Sequence, residues 1–267
     1  MTDFYDQTQR LYITKDSGIG RLVLNRPDKY NALTMAMWQA IPAYLAALDS
    51  DPDVRVVIVT SSTPKAFCTG ADIAEMGEIA LDEKLREENR IALRDAQRVL
   101  ARLHKPTIAQ ISGACFGGGC GIALHCDLRF ASTDSKFGIT PAKLGLVYPL
   151  NDTKTLVDLI GPSHAKRILF TASTILPDEA LKIGMIDGLY APDELEAATL
   201  EFAAKMAAVS QYSLRGMKKF IRRIMDGQVD DDADTAIIFT DAHDSIDYSE
   251  GIAAFMAKRK PDFKWNG

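Results

Sequence analysis

The chain has 267 residues, of which 47% are hydrophobic and 25% charged, a balance typical of soluble globular proteins. That length exceeds one ordinary domain without demanding two, and it suffices to bury a core without staples. The net charge of −5 argues against nucleic-acid or membrane-surface partners, which need a basic face, and no apolar run approaches the ~20 residues of a membrane span.

In chain order, the opening MTDFYDQTQR has no apolar centre of the kind a signal peptide carries, so a cytoplasmic location is expected. Gly20–Leu24 and Arg55–Thr60 are β-branched runs bounded by turn signals and predict strands. Between them, Met35, Met37, Trp38, Ile41, Tyr44, Leu45 and Leu48 fall at helical spacing with one buried face. Pro42 lies inside this pattern and predicts a kink or break just before it. Thr107–Ile111 reads as a strand after the breaker Pro106, and Gly117–Gly119 lead into a short apolar helix through Cys126. A strand at Asp127–Ala131 and a segment around Lys136–Ile139 follow. This alternation is an α/β pattern. From about Pro192 the strand signal disappears, and Glu194–Val209, Ser213–Met225, Asp232–Asp244 and Ser249–Lys258 read as helices. We expect residues 1–198 to form the α/β core and 199–267 a helical assembly module, with the boundary near 195–205.

Two glycine-containing segments are placed for chemistry. One is Lys65–Ile73, just past a strand, and the other is Ser112–Gly121, between a strand and a helix. Glycines there allow close backbone approach to a ligand and leave free N–H groups at a helix N-terminus, where the dipole favours negative charge. A dinucleotide fingerprint fits Gly117–Gly119 poorly, because its third glycine falls on Ile122. No P-loop lysine–serine pair follows. An oxyanion hole, which needs one N–H here and a second from elsewhere, and a plain helix–sheet turn both remain open from this segment alone. Cys68, Cys115, Cys120 and Cys126 form no CxxC pair and read as reduced thiols. No metal is expected, since His125 with Cys120 and Cys126 matches no common spacing.

Asn25-Arg-Pro-Asp-Lys-Tyr-Asn-Ala-Leu33, the Cys68–Asp72 segment, Gly117–Gly119 and the ending Glu250–Pro261, in this order, resemble the crotonase (enoyl-CoA hydratase/isomerase) family over nearly the whole chain. The resemblance implies a core of repeated ββα units in a spiral, with a C-terminal helical oligomerisation module. It implies an acyl-CoA substrate, coenzyme A entering as part of that substrate rather than as a cofactor, and a homotrimer or dimer of trimers. It also implies that the backbone N–H groups of Cys68 and Gly118 point at the thioester oxygen. Lys29, Tyr30, Ala66, Ala71, Asp72 and Ile73 would line the CoA groove, and Phe239 and Lys258 would reach CoA, often from a neighbouring subunit. Backbone donors make the Cys68 side chain secondary; a nucleophilic thiol is the lesser alternative.

The sequence departs from the hydratases of this family, which use two glutamates as acid and base. Those positions read Gly121 and Pro141, neither of which moves a proton. Tyr148 is the candidate replacement, and Thr140-Pro141 with Tyr148 partly resembles the methylmalonyl-CoA decarboxylase branch. That branch differs in having a histidine where this chain has Ala71 and a glutamate where it has Gly121. Decarboxylation needs an enolate stabilised but no base to start it, whereas a tyrosine here also serves simply as core with a bonded tip. A non-catalytic acyl-CoA binding protein is the rival from another class. His125 reads as a buried, satisfied histidine, Asp127 as a structural partner starting a strand, and Glu75 with Asp82–Arg90 as a solvated helix face.

Overall fold

The structure, a computed structural model, describes residues 9–265 and 267. Residues 1–8, most of the opening read as lacking a signal peptide, lie outside the described residues. Strands β1 (Leu11–Asp16) and β2 (Ile19–Leu24) pair antiparallel, and β2 then pairs in parallel with β3 (Val56–Ser61). β5 (Thr107–Ile111), β7 (Leu128–Ser132) and β9 (Gly188–Tyr190) continue the parallel run, giving a six-stranded sheet in the order β1-β2-β3-β5-β7-β9. A second, parallel sheet holds the short strands β4 (Ala66–Cys68), β6 (Ala114–Phe116) and β8 (Lys136–Gly138).

Each of β3, β5 and β7 is followed by its short strand and then by helix, which makes three ββα units. After β4 come α2 (Ile73–Leu81) and α3 (Glu83–Ala101); after β6, α4 (Gly118–His125); after β8, α5 (Leu150–Thr171). β4 and β6 are each three residues long, too short for alternation to register, and the sequence showed only the glycines around them. β9, at one edge, is equally short, and β1, at the other, is six residues long but exposed over its second half.

Helix α1 (Met35–Ser50) buries Met37, Trp38, Ile41, Tyr44, Leu45 and Leu48, and Thr34 caps it by accepting from the Met37 N–H. It runs through Pro42 as one helix instead of breaking before it. The proline forfeits one intrahelical bond, and packing of the buried stripe on the core outweighs that loss. The main core lies between the two sheets and the helices and includes Leu22, Trp38, Phe67, Ile111, Phe137 and Leu156. A second cluster covers the other face of the large sheet, where Ile19, Val56, Ile58, Ile108 and Phe130 meet Leu195 and Ala203 of α7 (Leu195–Ala208). Burial on both faces explains why β3 reads as an unbroken apolar run. Helix α6 (Pro177–Lys182) precedes β9. The chain closes with α8 (Gln211–Met225), α9 (Ala233–Asp241) and α10 (Ile246–Met256). Among the described residues no helix is long and apolar enough to cross a membrane.

Candidate active site

Pairing of β4 with β6, Cys68 opposite Cys115, brings the ends of both strands side by side. Gly117 then caps α4 at φ 49°, ψ −114°, a conformation open to glycine. Its N–H donates to the Gly138 carbonyl of β8 at 2.8 Å. Gly118 is the first residue of α4, so its N–H has no partner within the helix and sits at the positive end of the dipole. A Cβ on Gly119 would fall 2.2 Å from the Cys68 carbonyl oxygen, so only glycine lets the first turn of α4 lie against the end of β4. The backbones of Cys68 and Gly118 are thereby neighbours.

Cys68 itself is fully buried, and burial pushes its thiol up to about 12. A thiol held that far from ionisation is a poor nucleophile, which favours the backbone role over the thiol alternative.

The residues expected to line a CoA groove gather around β4. Asn31, fully buried at left-handed φ 56°, accepts from the Arg26 N–H at 2.7 Å and donates to the Ala66 carbonyl at 2.8 Å. It thereby ties the Lys29–Tyr30 turn to β4. The Leu33 N–H donates to Gly70 at 2.7 Å, and the Asp72 N–H to Leu33 at 3.0 Å, which places Ala71 beside the same turn. Asp72 caps α2 through the Ala74 and Glu75 N–H groups and pairs with Arg26 at 2.5 Å; that guanidinium holds its carboxyl below the usual range. Ala66 is buried, whereas Tyr30 and Ile73 stand exposed at the rim. Phe239 and Lys258 do not join this group: among the described residues no hydrogen bond, ion pair or ring contact links them to residues 66–73. Phe239, exposed on α9, packs edge-on against His243.

Tyr148 does come to the start of α4. Its hydroxyl donates to the Gly117 carbonyl at 3.3 Å, and burial, with the nearby Asp152 charge, pushes the phenol well above its ordinary value. Pro141 opens a short 3-10 turn, Pro141–Leu144.

Around Gly121 lies a polar cluster that the motifs did not announce. A Cβ on Gly121 would stand 2.4 Å from Gln97 Nε2 and 3.4 Å from both carboxylate oxygens of Asp152. Asp152, in the first turn of α5, is 1% exposed, and burial raises its carboxyl to about 7, opposed in part by the Gln97 amide. His125 Nδ1 lies 2.7 Å from the Gly121 carbonyl and 3.5 Å from Asp152 Oδ1. A carbonyl only accepts, so Nδ1 carries the hydrogen. Burial also lowers the His125 pKa, so the imidazole stays neutral and gives Asp152 no cation. Gln97 Oε1 accepts from Asn151 at 2.8 Å, and its buried Nε2 faces the Asp152 carboxylate, whose charged form it favours. Asp152 had one signal in the sequence: with Leu156 and Ile160 it forms a buried stripe at four-residue spacing, on which a carboxylate is out of place.

Three ββα units meeting at a glycine-opened helix N-terminus define the class of fold. The profile of the enoyl-CoA hydratase/isomerase family matches residues 14–266. A crotonyl-CoA hydratase of Syntrophomonas wolfei is 32% identical over 96% of this chain and 98% of its own. A peroxisomal Delta(3,5)-Delta(2,4)-dienoyl-CoA isomerase of Arabidopsis thaliana is 30% identical over 93% of each. Among solved structures, an enoyl-CoA hydratase/isomerase family protein from Hyphomonas neptunium superposes with a TM-score of 0.93 at 36% identity, over 96% of this chain and 98% of that one. The chain belongs to the enoyl-CoA hydratase/isomerase family of the crotonase superfamily.

Proposed function

We propose that the protein is an enzyme acting on acyl-CoA thioesters through an enolate whose oxygen is held by the backbone N–H groups of Cys68 and Gly118. The observation that carries this is the contact of the β4 end with the first turn of α4, kept open by Gly119. A thioester carbonyl gains negative charge as the enolate forms, so two fixed donors stabilise the transition state more than the ground state. Each such donor is worth about 10²–10³ in rate. Lys29, Tyr30, Ala66, Ala71, Asp72 and Ile73 form the CoA side of the site, and the family's hydratases and isomerases among the relatives support that substrate class. Phe239 and Lys258 reach CoA from a neighbouring subunit of a homotrimer or dimer of trimers. Support for the assembly comes from Ile221, Ile224, Phe239, Ile252 and Phe255, apolar side chains of α8–α10 that stand exposed in the single chain.

Decarboxylation of a malonyl-type acyl-CoA competes, favoured by the Tyr148 hydroxyl beside Gly117. A mass-spectrometric turnover panel of crotonyl-CoA, a 3-enoyl-CoA and methylmalonyl-CoA, with Tyr148→Phe as control, separates the two. Turnover of an enoyl-CoA supports hydratase/isomerase chemistry. Carbon dioxide release abolished in the control transfers the assignment to decarboxylation. Tight CoA binding without turnover of any member would make the chain a binding protein and overturn the proposal.

A further inference from the structure

By the family resemblance, the two positions expected to carry acid–base glutamates read Gly121 and Pro141, so an enolate mechanism here needs another proton carrier. We infer that Asp152, which α5 brings beside Gly121, is the group that takes and returns the substrate's α-proton. The inference rests on the acyl-CoA reading above and adds to it the residue that moves the proton.

Two features of the geometry point to Asp152. Both its oxygens lie 3.4 Å from the Cβ position of Gly121. A glutamate's own carboxylate oxygens stand roughly 3–3.5 Å from its Cβ, so Asp152 places its carboxylate within the shell that a glutamate at 121 would reach. The carboxylate is also buried without a cation. From α4 it is faced by neutral His125, from the preceding segment by Tyr148, and from α3 by the Gln97 amide. The nearest positive influence, Arg222 of α8, bears on His125. Such a carboxylate is costly to keep unless it has a use. The Gln97 amide nitrogen, buried on the same side of Gly121, faces this carboxylate and favours its charged form.

The step balances within the site. The Asp152 carboxylate accepts the proton from the carbon next to the thioester carbonyl and becomes a carboxylic acid. The C–H electron pair moves into the enolate, whose oxygen charge rests on the Cys68 and Gly118 N–H groups. Reversal returns the same proton to carbon. The raised carboxyl value supports this placement, because a proton carrier works best with a pKa near the working pH.

The test is exchange of the α-protons of butyryl-CoA for deuterium in D2O, followed by mass spectrometry, alongside the butyryl-CoA Kd. Expected are exchange by the wild-type enzyme, a rate that rises with pH through about 7, and a loss of at least 100-fold in Asp152→Asn with Kd changed less than threefold. The rising limb should vanish in that variant. Exchange by Asp152→Asn within threefold of wild type would overturn the assignment, as would butyryl-CoA binding to the wild type without exchange. Should Asp152→Asn fail to fold, the wild-type profile decides: a rate flat between pH 5 and 8 rejects Asp152. Failure of the wild type to bind butyryl-CoA at all sinks the acyl-CoA reading itself, and is distinguished by the Kd.

Discussion

The floor of the candidate site and the C-terminal helices are anomalous in opposite senses. Around Gly121, polar groups are buried: Gln97, His125 and Asp152 are each under 9% exposed. Along α8–α10, apolar groups stand in solvent, with Ile221 63%, Phe239 67% and Phe255 81% exposed. A buried carboxylate without a cation costs the single chain stability and points inward, to chemistry. An exposed apolar face costs it solubility and points outward, to whatever covers it. The first kind of anomaly is removed by changing one residue; the second is removed only by covering it.

The largest effect should come from the floor. Asp152 folds with its carboxyl raised to about 7 from the ordinary 3.8, so between those values the folded state holds a proton that the unfolded chain has released. Stability therefore falls as pH rises from about 4 to about 7 and stays low above it. At about 1.4 kcal/mol per pH unit the loss approaches about 4 kcal/mol. Urea denaturation at pH 5 and 8 should show this slope in the wild type and a flatter one in Asp152→Asn. Equal slopes would remove the floor's half of the comparison.

Gly119→Ala comes next. Its Cβ would meet the Cys68 carbonyl at 2.2 Å, and backbone has to move. A loss of about 3 kcal/mol is expected, together with butyryl-CoA exchange below a tenth of wild type, read by thermal melting and by exchange. A folded, fully active Gly119→Ala would separate the β4 end from the mechanism.

On the outer face, Phe255→Glu should change the stability of the isolated chain by no more than about 0.5 kcal/mol yet shift the assembly toward monomer, measured by light scattering. An unchanged mass would show that this face is not the covered one. The smallest effect is expected from Cys68→Ser, with turnover reduced less than about tenfold, since the donor is the backbone. A thousandfold loss would restore the thiol as nucleophile.

Much of the scaffold could be read from local pattern. The stripe from Met37 to Leu48 and the runs in β3, β5 and β7 are long enough for periodicity and β-branching to decide them, and α7–α10 fall within a few residues of their expected bounds. The glycines at 117–119 could be recognised as an open helix start because few other residues tolerate that backbone. The short strands β4 and β6 could not, since three residues carry no alternation and exist only through pairing with each other and β8. Pro42 does not break α1 for a related reason: packing of the buried stripe outweighs a local penalty. Asp152 lies 31 residues beyond Gly121 and 55 beyond Gln97, and no sequence spacing expresses that they lie side by side. The sequence by itself determined which backbone positions can bend, cap and bury. Which carboxylate stands beside Gly121 follows from tertiary packing alone, because burial and proximity depend on how α3, α4 and α5 pack together.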